Sequence, residues 1–329
     1  MLKIGNINLE VPFFQSPLSG YSDYAMRRLA LDFGAPLTFA GVMLAKSAAH
    51  PKVISKPAFQ PHDDEHPIGS QILGEEPKIM VKAAKDLIAA GYDLIDLNFA
   101  CPAPKVLRRG RGGALLNSPK LAVDIFKCVR ESISSPVTVK LRAGYDSKQA
   151  SLDNFREIAS GLIENGADAL VVHGRTVTKR YRGEADWNII AELKSEFPKA
   201  IIIASGDVID PQRTVDLMRS TGVDGFAVAR GAVGNPWIYR DLRAIFEGKP
   251  LPVPPTIEQQ KQTILKHLEL VNQLHVKAKT VRYFRKFLAQ YCRLHPQRRK
   301  AQKALMEALT KDQLLAAIEQ WYDGSNVSA

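Results

Sequence analysis

The sequence predicts an α/β protein, a TIM (β/α)8 barrel followed by a small C-terminal all-helical domain. Three observations lead to this prediction. Eight short apolar segments alternate with helical patterns, no GxGxxG follows the first of them, and the last quarter of the chain is helical throughout. Eight near-equal βα units in about 245 residues have the size and order of a closed barrel. A doubly wound sheet is the weaker alternative.

The barrel elements follow one another in a regular order. The predicted strands are 11–15, 37–42, 67–71, 94–97, 137–141, 169–173, 201–204 and 225–228, and helical patterns between them include 77–90, 119–132, 154–165 and 211–221. Glycines 91, 166 and 222 are expected to end helices as left-handed caps, and an aspartate follows each two residues later. The alternating residues 1–14 predict an opening hairpin.

A proline-rich connector, residues 250–255, predicts the domain boundary. It separates a barrel domain, 1–249, from a helical domain, 256–329. We expect a cytoplasmic protein, because the chain has no run of about 18 apolar residues and no apolar signal segment. We also expect a monomer. Three widely spaced cysteines argue against disulfides and structural zinc. The run from His62 to His66 is interpreted as a solvated acidic loop, and no metal is expected.

The charge distribution indicates a polyanionic partner. The net charge is +11, and the segment from Pro254 onward holds 13 basic residues against six acidic ones. In the amphipathic segment 278–293, Arg282, Arg285 and Lys286 lie on the polar face. A solvated surface helix is the alternative to nucleic-acid contact there.

Polar residues stand at the ends of the predicted strands, where barrel enzymes place their chemistry. They are Pro17, Leu18 and Ser19 after strand one, Gln71, Asn98 with Cys101, Lys140, His173, Ser205-Gly206-Asp207, and Ala229-Arg230-Gly231. Each has a structural alternative, since a lone cysteine or histidine is often a core residue. Their convergence at one face favours a ligand site.

The glycine-containing turns after strands seven and eight predict a phosphate site. Lys140 and Gln71 could reach the rest of a phosphorylated cofactor or substrate. Beyond Cys101, a tract with Lys105, Arg108, Arg109 and Arg111 suggests an anionic substrate, and the glycine-rich run 110–113 is interpreted as a mobile lid. At this point Cys101 fits either a nucleophile or an acid.

Six ordered motifs carry a family resemblance across essentially the whole chain. They are LNFACPAPKV, GGALL, KLRAGY, VVHGRT, ASGDV and ARGAVGNPWIY, and together they resemble the tRNA-dihydrouridine synthases. Two departures are Ser205 where relatives usually have asparagine and Ser16-Pro17-Leu18 where Ala-Pro-Met is common.

The resemblance implies an FMN-dependent enzyme that reduces the C5–C6 double bond of uridines in tRNA, with NADPH as reductant. Cys101 would protonate C5 and Asn98 would hold the base. Pro17, Leu18 and Ser19 would line the flavin, Gln71 and Lys140 would bond its ring edge, His173 would contact it, and Ser205-Gly206-Asp207 with Ala229-Arg230 would bind the phosphate. Lys105, Arg282, Arg285 and Lys286 would contact the RNA.

Two alternatives remain open. A dihydroorotate-dehydrogenase-like flavoenzyme acting on a small pyrimidine would share the barrel but give the basic C-terminal segment no purpose. A non-catalytic RNA-binding barrel would explain the charge but not the convergence of Cys101, Lys140 and His173.

Overall fold

Eight parallel strands form a barrel in the computed structural model, which describes residues 1–55, 60–274 and 280–323. An antiparallel hairpin, β1 (Leu2–Ile4) and β2 (Ile7–Leu9), precedes the barrel. The barrel strands are β3 (Phe13–Gln15), β4 (Thr38–Phe39), β6 (Ile68–Leu73), β7 (Leu94–Asn98), β8 (Val137–Arg142), β9 (Ala169–His173), β10 (Ile202–Ser205) and β11 (Gly225–Val228), and the short β5 (Met43–Leu44) pairs with β6. All eight predicted strands are confirmed, as is the hairpin.

The strands pair in the ring order β3-β11-β10-β9-β8-β7-β6-β4. The backbone N–H of Gln15 in β3 donates to the carbonyl oxygen of Leu37, just before β4, at 3.0 Å, and this bond brings the two ends of the sheet together. The sheet is therefore a nearly closed barrel rather than an open doubly wound sheet.

Helices cover the outside of the barrel and make up the C-terminal region. The barrel part contains α1 (Tyr24–Asp32), α2 (Ala45–Ala48), α3 (Pro51–Ile54), α4 (Pro77–Ala89), α5 (Pro104–Leu107), α6 (Pro119–Ser132), α7 (Gln149–Glu164), α8 (Asn188–Glu196), α9 (Pro211–Thr221) and α10 (Trp237–Phe246). The C-terminal part contains α11 (Ile257–Leu274), α12 (Thr280–Tyr291), α13 (Arg298–Glu307) and α14 (Lys311–Trp321). The basic residues Lys277 and Lys279 lie outside the described residues.

Two apolar clusters form the core of the barrel, one inside it and one around it. The inner one joins alternate strand residues such as Phe14, Phe39 and Ile203 to Leu2 and Leu9 of the hairpin, which closes the amino-terminal end of the barrel. The outer cluster lies between the strands and the helices. Strands buried on both faces explain why the strand segments are nearly continuous apolar runs.

Three aspartates tie neighbouring strands together at that same end. Asp93, Asp168 and Asp224 each accept a hydrogen bond from the first backbone N–H of an adjacent strand, at Ile68, Val137 and Ile202, over 2.7, 2.7 and 2.8 Å. The preceding Gly91, Gly166 and Gly222 have φ of 101°, 84° and 68°, which confirms the predicted left-handed turns. The repeated Gly-x-Asp pattern thus ends a helix and sets the start of two strands.

The C-terminal helices contact the first βα unit. Tyr283 of α12 donates to Asp23 at 2.8 Å, and Lys266 of α11 pairs with Asp32 of α1 at 2.6 Å. None of the helices within the described ranges is long and apolar enough to span a bilayer.

Candidate active site

The predicted residues converge on one cavity at the carboxyl ends of the barrel strands. Its lining includes Pro17, Leu18, Ser19, Gln71, Asn98, Cys101, Lys140, His173, Ser205, Gly206, Asp207, Ala229 and Arg230. Strand register explains the grouping, because Asn98 pairs with Lys140 and His173 pairs with both Arg142 and Ser205. A wider cavity of about 840 Å³ adjoins it and shares Leu18, Ser19, Asp207 and Arg230. This space is within the range of small-molecule and cofactor sites.

Lys140 is the cation at the floor of the mouth. Its Nζ donates to Ser16 Oγ at 2.7 Å and lies 3.4 Å from Ser205 Oγ. Burial lowers the pKa of Lys140 to about 8, and Arg142 adds to that shift, whereas Asp96 opposes it. An ammonium held among few compensating charges favours an electron-rich ligand group.

His173 is neutral at physiological pH. Burial, together with repulsion from Arg142, Lys140, Arg175 and Arg230, lowers its pKa to about 2. Arg175 Nη1 lies 3.3 Å from His173 Nε2. Because a guanidinium can only donate, Nε2 accepts and Nδ1 carries the proton.

The turn after β10 has the geometry of an anion site. Gly206 has φ of 112°, and Asp207 that follows it also has a positive φ of 55°. Burial alone would raise the pKa of Asp207, but the hydrogen bonds from Arg175 and from the Ala185 N–H hold it below its usual range. Within the described ranges, the N–H groups of Gly206 and Asp207 have no acceptor in the protein, as a phosphate-binding turn requires.

The neighbouring turn after β11 completes this site. Arg230 approaches Asp207 at 3.6 Å and stacks on Tyr181 at 4.3 Å from the ring centroid. Gly231 must be a glycine, since a Cβ there would lie 2.1 Å from the carbonyl oxygen of Val208. The two turns therefore pack backbone to backbone at this position.

Cys101 occupies a turn that its own neighbours hold in place. Asn98 Oδ1 accepts hydrogen bonds from the N–H groups of Ala100 and Cys101, at 3.1 and 2.9 Å. Cys101 is a free, partly exposed thiol that lines the cavity. A thiol so placed can meet a ligand held at the mouth.

The glycine-rich run beyond Cys101 supports this turn, which corrects the expected mobile lid. Gly112 and Gly113 are buried, the Gly113 N–H donates to the Cys101 carbonyl at 3.1 Å, and a Cβ on Gly112 would lie 2.9 Å from Cys101 Cβ. Arg111 is also buried and forms an ion pair with Glu75. Of the cationic tract, Lys105, Arg108 and Arg109 remain exposed.

The predicted RNA contacts of α12 lie in different surroundings. Arg282 is exposed, whereas Arg285 donates to the Ala308 carbonyl at 2.8 Å inside the helical region. Lys286 donates to the Gly20 carbonyl and lies 3.2 Å from the ring centroid of Tyr283. Burial lowers the pKa of Lys286 to about 8. For Arg285 or Lys286 to contact RNA, its hydrogen bond to the backbone carbonyl would have to break and be replaced by a bond to the RNA.

The acidic run at 62–66 is only partly solvated, which corrects the sequence interpretation. Glu65 is fully buried and forms an ion pair with Arg27 at 2.6 Å. His62 stacks on Tyr24, and His66 bonds to Asp93. Across the described ranges, no group of three or more His, Cys, Asp or Glu side chains has the arrangement of a metal site.

Three residues at or beneath the mouth were given no role from the sequence, although Arg142 stands at the end of a predicted strand. Arg142 lines the cavity and bonds the Ala100 carbonyl at 2.9 Å, with a pKa lowered to about 10 by burial. Tyr181 lies at the rim and Asp96 lies beneath Gln71. The sequence could signal Asp96 as a carboxylate in an apolar strand and Arg142 as a strand-end cation, whereas nothing local marks Tyr181.

A barrel mouth that combines a free thiol, a buried lysine and an anion-binding turn defines an enzyme that acts on a ligand held at the strand ends. Residues 14–323 match the family described as Dihydrouridine synthase (Dus). The chain belongs to this family and is an oxidoreductase, as its motifs indicated.

Similar proteins agree with this assignment. tRNA-dihydrouridine synthase B of Pasteurella multocida is 32% identical over 318 residues, covering 96% of this chain and 94% of that protein. The Vibrio cholerae protein of the same name is 32% identical over 324 residues, covering 98% and 99%. Histamine dehydrogenase from Rhizobium sp. 4-9 has a TM-score of 0.58 at 16% identity and covers 82% of this chain and 50% of that one. Morphinone reductase has a TM-score of 0.55 at 16% identity, with 77% and 91% covered. The two solved structures share the barrel fold.

Proposed function

We propose that this protein reduces specific uridines of tRNA, with FMN as its cofactor and NADPH as the reductant. The observation that carries the proposal is the single cavity in which the thiol of Cys101, the amide of Asn98 and the ammonium of Lys140 meet beside an anion-binding turn. The relatives named for this activity cover almost the whole chain. A cytoplasmic monomer remains our expectation.

The residues at the mouth fit FMN. The N–H groups of Gly206 and Asp207, which have no acceptor among the described residues, lie beside Arg230 and suit a phosphate. Lys140 and Gln71 would bond the polar edge of the ring, and neutral His173 would contact it without adding charge. Pro17, Leu18, Ser19 and Ala229 would line the remaining walls. Bound there, reduced FMN would supply the hydride that adds to C6 of uracil.

Cys101 would give the proton that C5 needs. Its partly exposed thiol faces the cavity, and the Asn98 side chain holds the turn that carries it. A thiol is largely protonated at neutral pH and can serve as a general acid. The thiolate left behind would lie on the side of the mouth that holds Arg142, and water can return its proton. Cys101 is then a proton donor rather than an attacking thiolate.

A uridine must leave its stack to enter such a cavity, which costs a few kcal/mol. Phosphate contacts would offset that cost. We assign them to a tRNA-binding domain, 256–329, which residues 250–255 join to a catalytic barrel, 1–249. We also assign one to the exposed Lys105 on α5. Arg298, Arg299 and Lys300 are exposed at the first turn of α13, have no ion pair in the described part of the chain, and oppose the helix dipole there. Because these cations do not stabilise the helix that carries them, we interpret them as contacts for a polyanionic ligand.

The triple variant Arg298→Ala, Arg299→Ala, Lys300→Ala is expected to weaken tRNA binding and to lower the slope of log K against log salt by up to about 3. Filter binding across a salt series measures both. The matched control is Lys85→Ala, Lys120→Ala, Lys127→Ala, which removes the same charge from exposed positions on α4 and α6. Equal losses in the two variants would place the RNA elsewhere.

The proposal is tested by anaerobic flavin spectroscopy. The purified protein should release FMN on denaturation, its flavin should be bleached by NADPH, and unmodified tRNA should restore the oxidised spectrum. Restoration by orotate but not by tRNA would support an enzyme of small pyrimidines. Absence of flavin would leave only an RNA-binding barrel.

A further inference from the structure

A buried carboxylate ends a chain of side-chain hydrogen bonds that begins at the thiol turn. Asp96 on β7 is 2% exposed and accepts from Gln71 Nε2 at 2.5 Å and from Thr138 Oγ1 at 2.6 Å. Asn98 Nδ2 donates to Gln71 Oε1 at 2.7 Å, and Asn98 Oδ1 accepts from the Cys101 N–H at 2.9 Å. The chain therefore runs Asp96, Gln71, Asn98, Cys101 without a gap.

In this series of hydrogen bonds, the groups at the two ends determine which atom donates and which accepts. A backbone N–H can only donate, so Asn98 must present Oδ1 to the thiol turn and Nδ2 to Gln71. Gln71 must then present Oε1 to Asn98 and Nε2 to its other neighbour. An ionised carboxylate can only accept, and Asp96 supplies that acceptor. The two amides cannot rotate by half a turn without placing donor against donor.

The orientation of the two amides determines which hydrogen-bonding groups of the cavity wall can face a ligand. Asn98 and Gln71 both line the cavity, and each amide uses one N–H inside the chain. Among the described residues neither amide nitrogen has a second acceptor, so the other N–H of each is available to a ligand. Two N–H donors at this wall would select a group with carbonyl oxygens, and Asp96 anchors the Gln71 end by accepting from its Nε2.

We propose that Asp96 is a positioning residue, which fixes the amide orientations of Gln71 and Asn98 and so holds the Cys101 turn and the donor face of the cavity. The inference rests on the proposed function. Asp96 touches no ligand itself, because it lies below Gln71. Burial raises the pKa of Asp96, and the hydrogen bonds from Thr138 and Gln71, together with the nearby charge of Lys140, oppose that shift.

Two substitutions separate orientation from charge. Asp96→Leu removes the acceptor and keeps the branched shape and the number of side-chain heavy atoms. Asp96→Asn keeps an oxygen for Gln71 and can turn its NH₂ to Thr138 Oγ1, which can accept because a hydroxyl rotates. We expect kcat for uridine reduction, per bound flavin, to fall about 10- to 100-fold in Asp96→Leu. In Asp96→Asn it should stay within about threefold of the parent.

A second readout reports the thiol turn without any turnover. In a Cys128→Ser background, alkylation of Cys101 should be at least about fivefold faster in Asp96→Leu than in Asp96→Asn, while labelling of the buried Cys292 stays constant. Should Asp96→Leu fail to fold, Asp96→Ala takes its place.

The proposal would be overturned if Asp96→Leu kept both the parental kcat and the parental alkylation rate. It would also be overturned if Asp96→Asn were as impaired as Asp96→Leu, because the effect would then come from the lost charge. If the parent makes no dihydrouridine, the proposed function fails and the alkylation rates alone decide on Asp96.

Discussion

Cys101→Ala is expected to keep its flavin and to lose uridine reduction by about 10²- to 10⁴-fold in kcat, the usual contribution of a general acid. The thiol lies in the cavity, and its turn is held by backbone bonds to Asn98 that an alanine also makes. Binding of flavin and tRNA should therefore persist while protonation of C5 slows. Single-turnover kinetics with reduced enzyme measure that step directly.

Cys128→Ala is the matched control, because this thiol is exposed on α6, on the outside of the barrel. It should turn over at the parental rate. A Cys101→Ala variant with parental kcat would show that another group protonates C5.

Lys140→Met is expected to weaken flavin binding by about 10- to 100-fold, since a hydrogen bond from a charged donor contributes about 1.5–3 kcal/mol. Methionine approximates the length of the side chain without its charge. Fluorescence titration of the flavin-free protein gives the affinity. Lys120→Met, exposed on α6, is the control, and equal affinity of parent and Lys140→Met would remove Lys140 from the cofactor site.

The same variant should change how stability depends on pH. Lys140 loses its proton near pH 8 when folded and near 10.5 when unfolded. Between these values the unfolded chain binds more protons, so the free energy of unfolding of the flavin-free parent rises with pH. Lys286 contributes in the same window in both proteins. The difference between parent and Lys140→Met therefore isolates Lys140, and identical slopes would contradict its lowered pKa.

The barrel could be predicted because its signals are local. Each strand is a short apolar run, and Gly-x-Asp marks the entry to several of them, as at Gly166 and Asp168. The function of Asp168, which bonds the Val137 N–H of the next strand, depends on sheet register. Register is a property of neighbouring strands that are distant in sequence.

Which residues line the candidate cavity could be predicted where strand ends alone determine it. Lys140, His173 and Ser205 lie at the mouth because parallel strands all end there. The errors concern pairs of charges that meet only in the folded chain. Arg111 with Glu75 and Arg27 with Glu65 are separated by 36 and 38 residues, so the sequence alone gave no reason to pair them. Exposed charge was expected in both places.

Dihydrouridine itself is the product that tests the account most directly. The purified protein, incubated with NADPH and unmodified tRNA, should yield tRNA in which particular uridines are heavier by a pair of hydrogen atoms, as mass mapping of nuclease fragments reports. The Cys101→Ala protein should yield almost none in the same time. If the parent protein holds flavin that NADPH reduces and yet leaves the tRNA unchanged, the proposed activity would be contradicted.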